Sequence, residues 1–343
     1  MRIRVCAVIA ALVAMPTPPQ ARQSPVQWTP VESGVTARLR GVSTVSADVA
    51  WASGAAGTVL RTVDGGRTWT PRPVDGAAAL DFRDVDAPSA EVAYVLSIGP
   101  GEASRIYKTA DGGRTWTLQL ANTDPKVFLD AMAFRDEAHG VAFADSVDGR
   151  FVVFTTANGG AEWTRIPPDR LPPALPGEGA FAASGSNVAL DRRRAIWIGT
   201  TAGRVLASHD EGRTWRVVRT PVATGDATGI FSIAFRDPRH GVVVGGTYTD
   251  ERAATDNVAV TADGGASWTR PARGLTGFRS AVTWWRDGWL AVGPTGADWS
   301  ADDGRTWTPA GGDGYDAVSV APDGALAWAS GAGGRLGKVT RPR

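Results

Sequence analysis

Three histidines, four tyrosines and one cysteine are the usual reagents available to this 343-residue chain. His139 and His240 fill the same slot of two similar segments, Phe134-Arg135-Asp136 to His139-Gly140 and Phe235-Arg236-Asp237 to His240-Gly241. His209 occupies a variable position of a recurring turn. A general base is needed once per site, so its duplication at equivalent positions points to turn structure. The cysteine, Cys6, lies in an N-terminal apolar run, which leaves the rest of the chain without thiol chemistry or a zinc or copper ligand set. Aspartates beside glycines recur, but each turn offers one carboxylate, too few for calcium. The glycine-rich runs do not open helices, so neither a phosphate nor a dinucleotide is expected there. No metal and no cofactor is expected. What remains is a set of arginines, aspartates and aromatics whose value depends on whether the fold brings them together.

The element that must position them is an eight-residue turn, first seen as Thr62-Val63-Asp64-Gly65-Gly66-Arg67-Thr68-Trp69. It has the form Ser/Thr-x-Asp-x-Gly-x-x-Trp and recurs with Asp111 and Trp116, Asp210 and Trp215, Asp263 and Trp268, and Asp302 and Trp307. In the third copy Asn158 stands for Asp ahead of Trp163. Asp and the hydroxyl residue accept hydrogen bonds from nearby backbone N–H groups. Glycine supplies the positive φ, and the indole brings apolar area with one donor. Each box is therefore a structural hairpin turn.

Box tryptophans are separated by 47, 47, 52, 53 and 39 residues, the length of a four-stranded propeller blade. Alternating strand-like text precedes each box, and no helical period is visible after the N-terminal run. Ala327-Trp328-Ala329-Ser330-Gly331 nearly copies Ala50-Trp51-Ala52-Ser53-Gly54, so a seventh unit starts near Tyr315, without box or fourth strand. Gln27-Trp28-Thr29-Pro30 matches the text that follows the boxes, and Trp28 lies 41 residues before Trp69. The expected fold is all-β: a seven-bladed β-propeller of four-stranded antiparallel blades, closed by the N-terminal strand, which hides the sheet edges. Repeated Asp-Gly-Gly-x-Thr-Trp turns, preceded by Phe-x-Asp-x-x-x-Gly strands, resemble the photosystem II stability/assembly factor family and its bacterial relatives. The resemblance implies a non-enzymatic scaffold that binds a protein partner. The same boxes, also called BNR repeats, occur in sialidases, xyloglucan-cleaving enzymes and sortilin receptors, so the fold carries no reaction with it.

Residues 1–21 read as a secretory signal: Arg2 and Arg4 precede an apolar run from Val5 to Met15. Residues 22–343 form the single propeller domain, exported to the periplasm or beyond. The formal charge of +1 gives no field toward nucleic acid, and nothing after the signal calls for membrane insertion. A monomer is expected.

Within a propeller the first strands line the channel. Aligning them gives one column at its mouth: Arg40, Asp81, Asp130, Phe181, Phe231, Arg279 and Asp316. The column reads either as a rim of satisfied ion pairs or as a polar pocket in which Arg40 and Arg279 hold an anionic group. Long loops, Arg165 to Gly179, Thr220 to Gly229, and Gly246 to Asp256 with Tyr248 and Arg252, should cluster over blades three to five as recognition elements. The competing chemistry is glycoside hydrolysis. Arg165-Ile166-Pro167 resembles a sialidase motif but follows the third box, and no tyrosine–glutamate pair with three arginines can be placed on adjacent inner strands. Asp81, Asp130 and Asp316 would be the carboxylates of a xyloglucanase-like alternative.

Overall fold

The computed structural model describes residues 24–191 and 193–342. The leader expected over residues 1–21 lies outside them. The described residues form seven antiparallel sheets, and their helical content is three short 3-10 turns. No helix among them is long and apolar enough to cross a membrane. The inner strands are Leu39–Thr44, Asp81–Asp86, Leu129–Phe134, Val188–Leu190, Thr228–Phe235, Ala281–Trp285 and Ala317–Val320. Each begins one blade, and the chain then meanders outward.

Closure follows the expected route. Gln27–Val31 pairs antiparallel with Leu336–Thr340, so the front of the propeller supplies the outer strand of blade seven. The Trp28 ring stacks on Tyr315 with centroids 5.0 Å apart, and its indole N–H donates to the Ala310 carbonyl at 2.8 Å. One blade departs from the four-stranded plan. In blade five the outer strand shrinks to a single bridge, Val260 with Thr269. Pro271 follows two residues later and has no N–H to extend the ladder.

The carboxylate, hydroxyl and glycine positions of the boxes work as the residue types dictate, whereas the indole N–H of Trp69, Trp116, Trp163 and Trp268 has no partner among the described residues. Asp64 Oδ1 accepts from the Thr68 N–H at 3.0 Å, and its Oδ2 accepts from the Thr68 hydroxyl at 2.7 Å. These donors, the side-chain hydroxyl first, hold the Asp64 carboxyl down at about 2. Gly66 is required twice over: its φ is +85°, and a Cβ there would run into the Trp328 ring of the neighbouring blade. The box tryptophan in turn meets that ring edge-on, Trp69 to Trp328 at 5.2 Å and likewise Trp116 to Trp51 at 6.1 Å. Boxes therefore lock a blade internally and wedge it against the previous one. The third box explains its own exception. Where the others carry Thr or Ser as donor to the second carboxylate oxygen, this one has Glu162, with no such hydroxyl. An amide at Asn158 still accepts from the Glu162 N–H at 2.9 Å and avoids setting two carboxylates side by side.

Inner strands are tied around the channel by short polar side chains. Ser43 Oγ accepts from Ala87 N–H, Ser232 Oγ from Val282 N–H, and Ser319 Oγ from Thr44 N–H, at 2.9–3.0 Å. Between blades two and three the same task falls to Asp84 and Asp86, which accept from Met132 and Phe134 N–H at 2.7 and 2.6 Å. Burial pushes both carboxyls up, Asp86 to about 6 and Asp84 well above the ordinary range. These ties fix blade against blade, so the channel mouth above them is a rigid frame.

Candidate functional site

At that mouth lies a cleft of about 370 Å³, built from the starts of the inner strands and the loops between second and third strands. Arg40, Asp130, Phe181, Phe231, Asp316 and Tyr248 all line it. Asp81, Arg279 and Arg252 do not.

The position of each follows from local backbone. A bulge interrupts the first strand of four blades, between Leu39 and Gly41, Phe82 and Asp84, Leu129 and Ala131, and Ile230 and Ser232. The extra residue bends the strand and aims its side chain into the mouth. Bulged residues are thus Arg40, Arg83, Asp130 and Phe231, which corrects the alignment in blade two by two positions. Asp81 instead serves as the ion-pair partner of Arg83, at 2.7 Å. Arg83 then reaches across the opening to the Ala182 carbonyl at 2.8 Å. In blade four the first strand starts only at Val188, and Phe181 is delivered by the loop before it.

Arg279 is a second correction. It is 1% exposed, and its guanidinium donates to Asp298 Oδ2, Thr276 Oγ1, the Phe278 carbonyl and Thr295 Oγ1 at 2.7–3.1 Å. It holds blade six together and cannot offer a donor to a ligand. Asp316 is also engaged: Arg38 grips both its oxygens, at 2.7 and 2.8 Å. Arg40 differs from all of these. Among the described residues its guanidinium has neither hydrogen-bond nor ion-pair partner, although it is half-buried. Burial, then the neighbouring Arg83 and Arg38 charges, pull it down to about 10. A cation held at such cost beside two others is a ready acceptor for an anion.

The far wall is aromatic. Phe181 stacks on Phe231 at 3.9 Å, Phe278 meets Phe231 edge-on at 4.6 Å, and exposed Tyr248 leans over both stacked rings. Phe181 is set there by a loop that is anchored rather than free. Its Glu178 is buried and bonds Arg204 and the Thr200 hydroxyl. Glu251 comes from the loop Gly246 to Asp256, whereas Arg38, Arg83, Asp145 and Phe278 are lining residues that the sequence reading does not single out. The period-two spacing of Arg38 with Arg40, and of Asp81 with Arg83, was the available signal.

Glycoside hydrolysis finds no support in this geometry. Asp81 and Asp316 are each consumed by an arginine, and Arg165-Ile166-Pro167 runs off the outer strand of blade three.

Residues 20–118 match the family model described as Photosynthesis system II assembly factor YCF48. No curated protein matches the sequence. Among solved structures, one described as YCF48 bound to D1 peptide is 15% identical with a TM-score of 0.66, over 94% of this chain and 99% of that one. YCF48 from Cyanidioschyzon merolae is 18% identical with a TM-score of 0.64, over 91% and 98%. The WD40 propeller domain of Doa1 matches at 11% identity and 0.62, over 93% and 98%, so likeness of this degree speaks for the fold alone. The resemblance read from the boxes thus holds: this chain is similar to the photosystem II assembly factor family, in sequence over residues 20–118 and in fold over nearly its whole length.

Proposed function

We propose that this chain is an exported binding or assembly scaffold that takes a segment of a partner polypeptide into the channel mouth. The observation that carries the reading is Arg40, a half-buried guanidinium without a partner among the described residues, set beside Arg38 and Arg83 and facing an aromatic wall. Such a pocket suits an extended peptide, with an acidic group at the arginines and the apolar parts of its side chains, long stems included, against Phe181 and Tyr248. The similar fold described as YCF48 bound to D1 peptide supports a polypeptide as the ligand class. The mechanism is presentation by a rigid frame, with no bond made or broken.

Arg40→Glu tests it. Twelve-residue peptides selected from a display library against the purified protein should be enriched in Asp and Glu. Their affinity in fluorescence anisotropy at low salt should fall at least tenfold, about 1.4 kcal/mol or more, in the variant. The melting temperature should hold or rise, because no native pair is lost. Unchanged affinity would sink the reading. Export rests on the residue 1–21 pattern; recovery of the protein in the cytosolic fraction with Met1 intact would refute it.

A further inference from the structure

The pocket has a second pole, opposite in sign to the first. Asp130 sits at the bulge of blade three and is 1% exposed, yet its Oδ2 has no hydrogen-bond partner among the described residues. A buried carboxylate oxygen left unpaired is costly and rare. Asp145, on the next strand of the same blade, lines the same cleft and accepts from the Ala180 N–H at 3.2 Å. The residue after Ala180 is Phe181, whose ring forms the stacked pair with Phe231. One short segment therefore joins two carboxyl groups to two aromatic faces and the Tyr248 edge.

A buried and a half-buried carboxyl group next to aromatic faces make the chemistry that receives a basic side chain: the charge meets the carboxylate and the stem or guanidinium plane lies on the rings. We infer that the Asp130–Asp145 pole, with Phe181 and Tyr248, is a specificity subsite for a lysine or arginine side chain of the bound polypeptide. This rests on the reading of the mouth as a polypeptide site and adds its polarity: acidic residue toward blades one and two, basic residue toward blade three. Burial, and then the Asp145 charge, push Asp130 well above the carboxylate range. The other charged groups lining the cleft are Arg38, Arg40 and Arg83, Glu251, and the Arg38-bound Asp316. Burial thus favours the protonated form of Asp130 in the empty pocket, and an arriving cation favours the carboxylate. Affinity for a cation should therefore rise with pH.

The probes are N-acetyl-arginine methylamide and its uncharged counterpart N-acetyl-norleucine methylamide, titrated into the whole 15N-labelled protein. The Ala180 and Phe181 amide resonances report occupancy. At pH 8 the arginine probe should bind at least tenfold more tightly than the norleucine probe, and the ratio should narrow at pH 5.5. Asp130→Asn, which keeps the shape and removes the charge, should reduce the ratio to below twofold. Asp145→Asn should lower it in the same direction, and serves as the test if the first variant does not fold. Equal binding of the two probes by the native protein, or a ratio unmoved by both variants, overturns the subsite. Acidic peptides lost in Arg40→Glu with no arginine preference would leave the polypeptide reading standing and remove this inference alone. An arginine preference without any acidic-peptide binding would do the reverse.

Discussion

Removing residues 24–31 should unfold blade seven and leave a protein that aggregates or is cleaved near Arg335 and Lys338 at room temperature. Five register pairs, from Gln27 with Thr340 to Val31 with Leu336, would vanish together. Leu336–Thr340 would become an open edge with unpaired N–H and C=O groups, the kind of surface that recruits other chains. The core would suffer as well. Val26 is 1% exposed and packs in the cluster with Trp285, Trp299 and Tyr315, to which Trp28 adds its stacked ring. Losing a buried valine and a large aromatic surface costs several kcal/mol, against a total stability of about 5–15 kcal/mol for an ordinary domain. Trp28→Ala alone removes the ring and the bond to Ala310 while sparing the ladder, and should cost about 2–4 kcal/mol. Thermal melts and limited trypsin digestion separate the cases. A shortened protein melting within about 3 °C of the full chain would show that closure contributes less than about 1–2 kcal/mol.

This closure was legible because its signals are local and repeated. Trp28-Thr29-Pro30 copies the text after the boxes, and Ala327 to Gly331 copies Ala50 to Gly54. Seven blades follow from counting, and strand faces follow from the period of two. The mouth was legible only in outline. A bulge inserts one residue into the count and shifts what the channel sees, so repeat spacing alone does not distinguish Arg83 from Asp81. Phe181 reaches the expected place from a loop and not from an inner strand, because the strand of blade four begins seven residues later. Partner choice was the least visible part. Arg40 and Arg279 look alike in a column, but Asp298 waits for Arg279 on the third strand of its own blade, and among the described residues nothing waits for Arg40. Pairing across a sheet depends on register and rotamer, which residue types do not state.

That difference gives the second large effect. Arg279→Ala should destabilise the propeller by about 3–5 kcal/mol, because Asp298, fully buried, is left as a charge without its partner. Asp298 would keep two donors, the Thr276 N–H at 3.1 Å and hydroxyl at 2.9 Å, too few to replace a guanidinium. Asp298→Ala should cost as much from the other side. Arg279→Lys keeps the charge but loses the planar fork that serves four acceptors, and should fall between wild type and alanine. Replacing both members, Arg279→Met with Asp298→Leu, should recover much of the loss, since a buried pair gains little over apolar side chains of similar volume. Urea unfolding at pH 7 orders the four variants, and an alanine variant within 1 kcal/mol of wild type would contradict the buried-pair account. The same set guards the binding experiment. Arg279→Ala should lose binding by loosening blade six, whereas Arg40→Glu acts on a folded protein. Only the second reports on the mouth of the channel, and the two are told apart by their melting curves before any ligand is added.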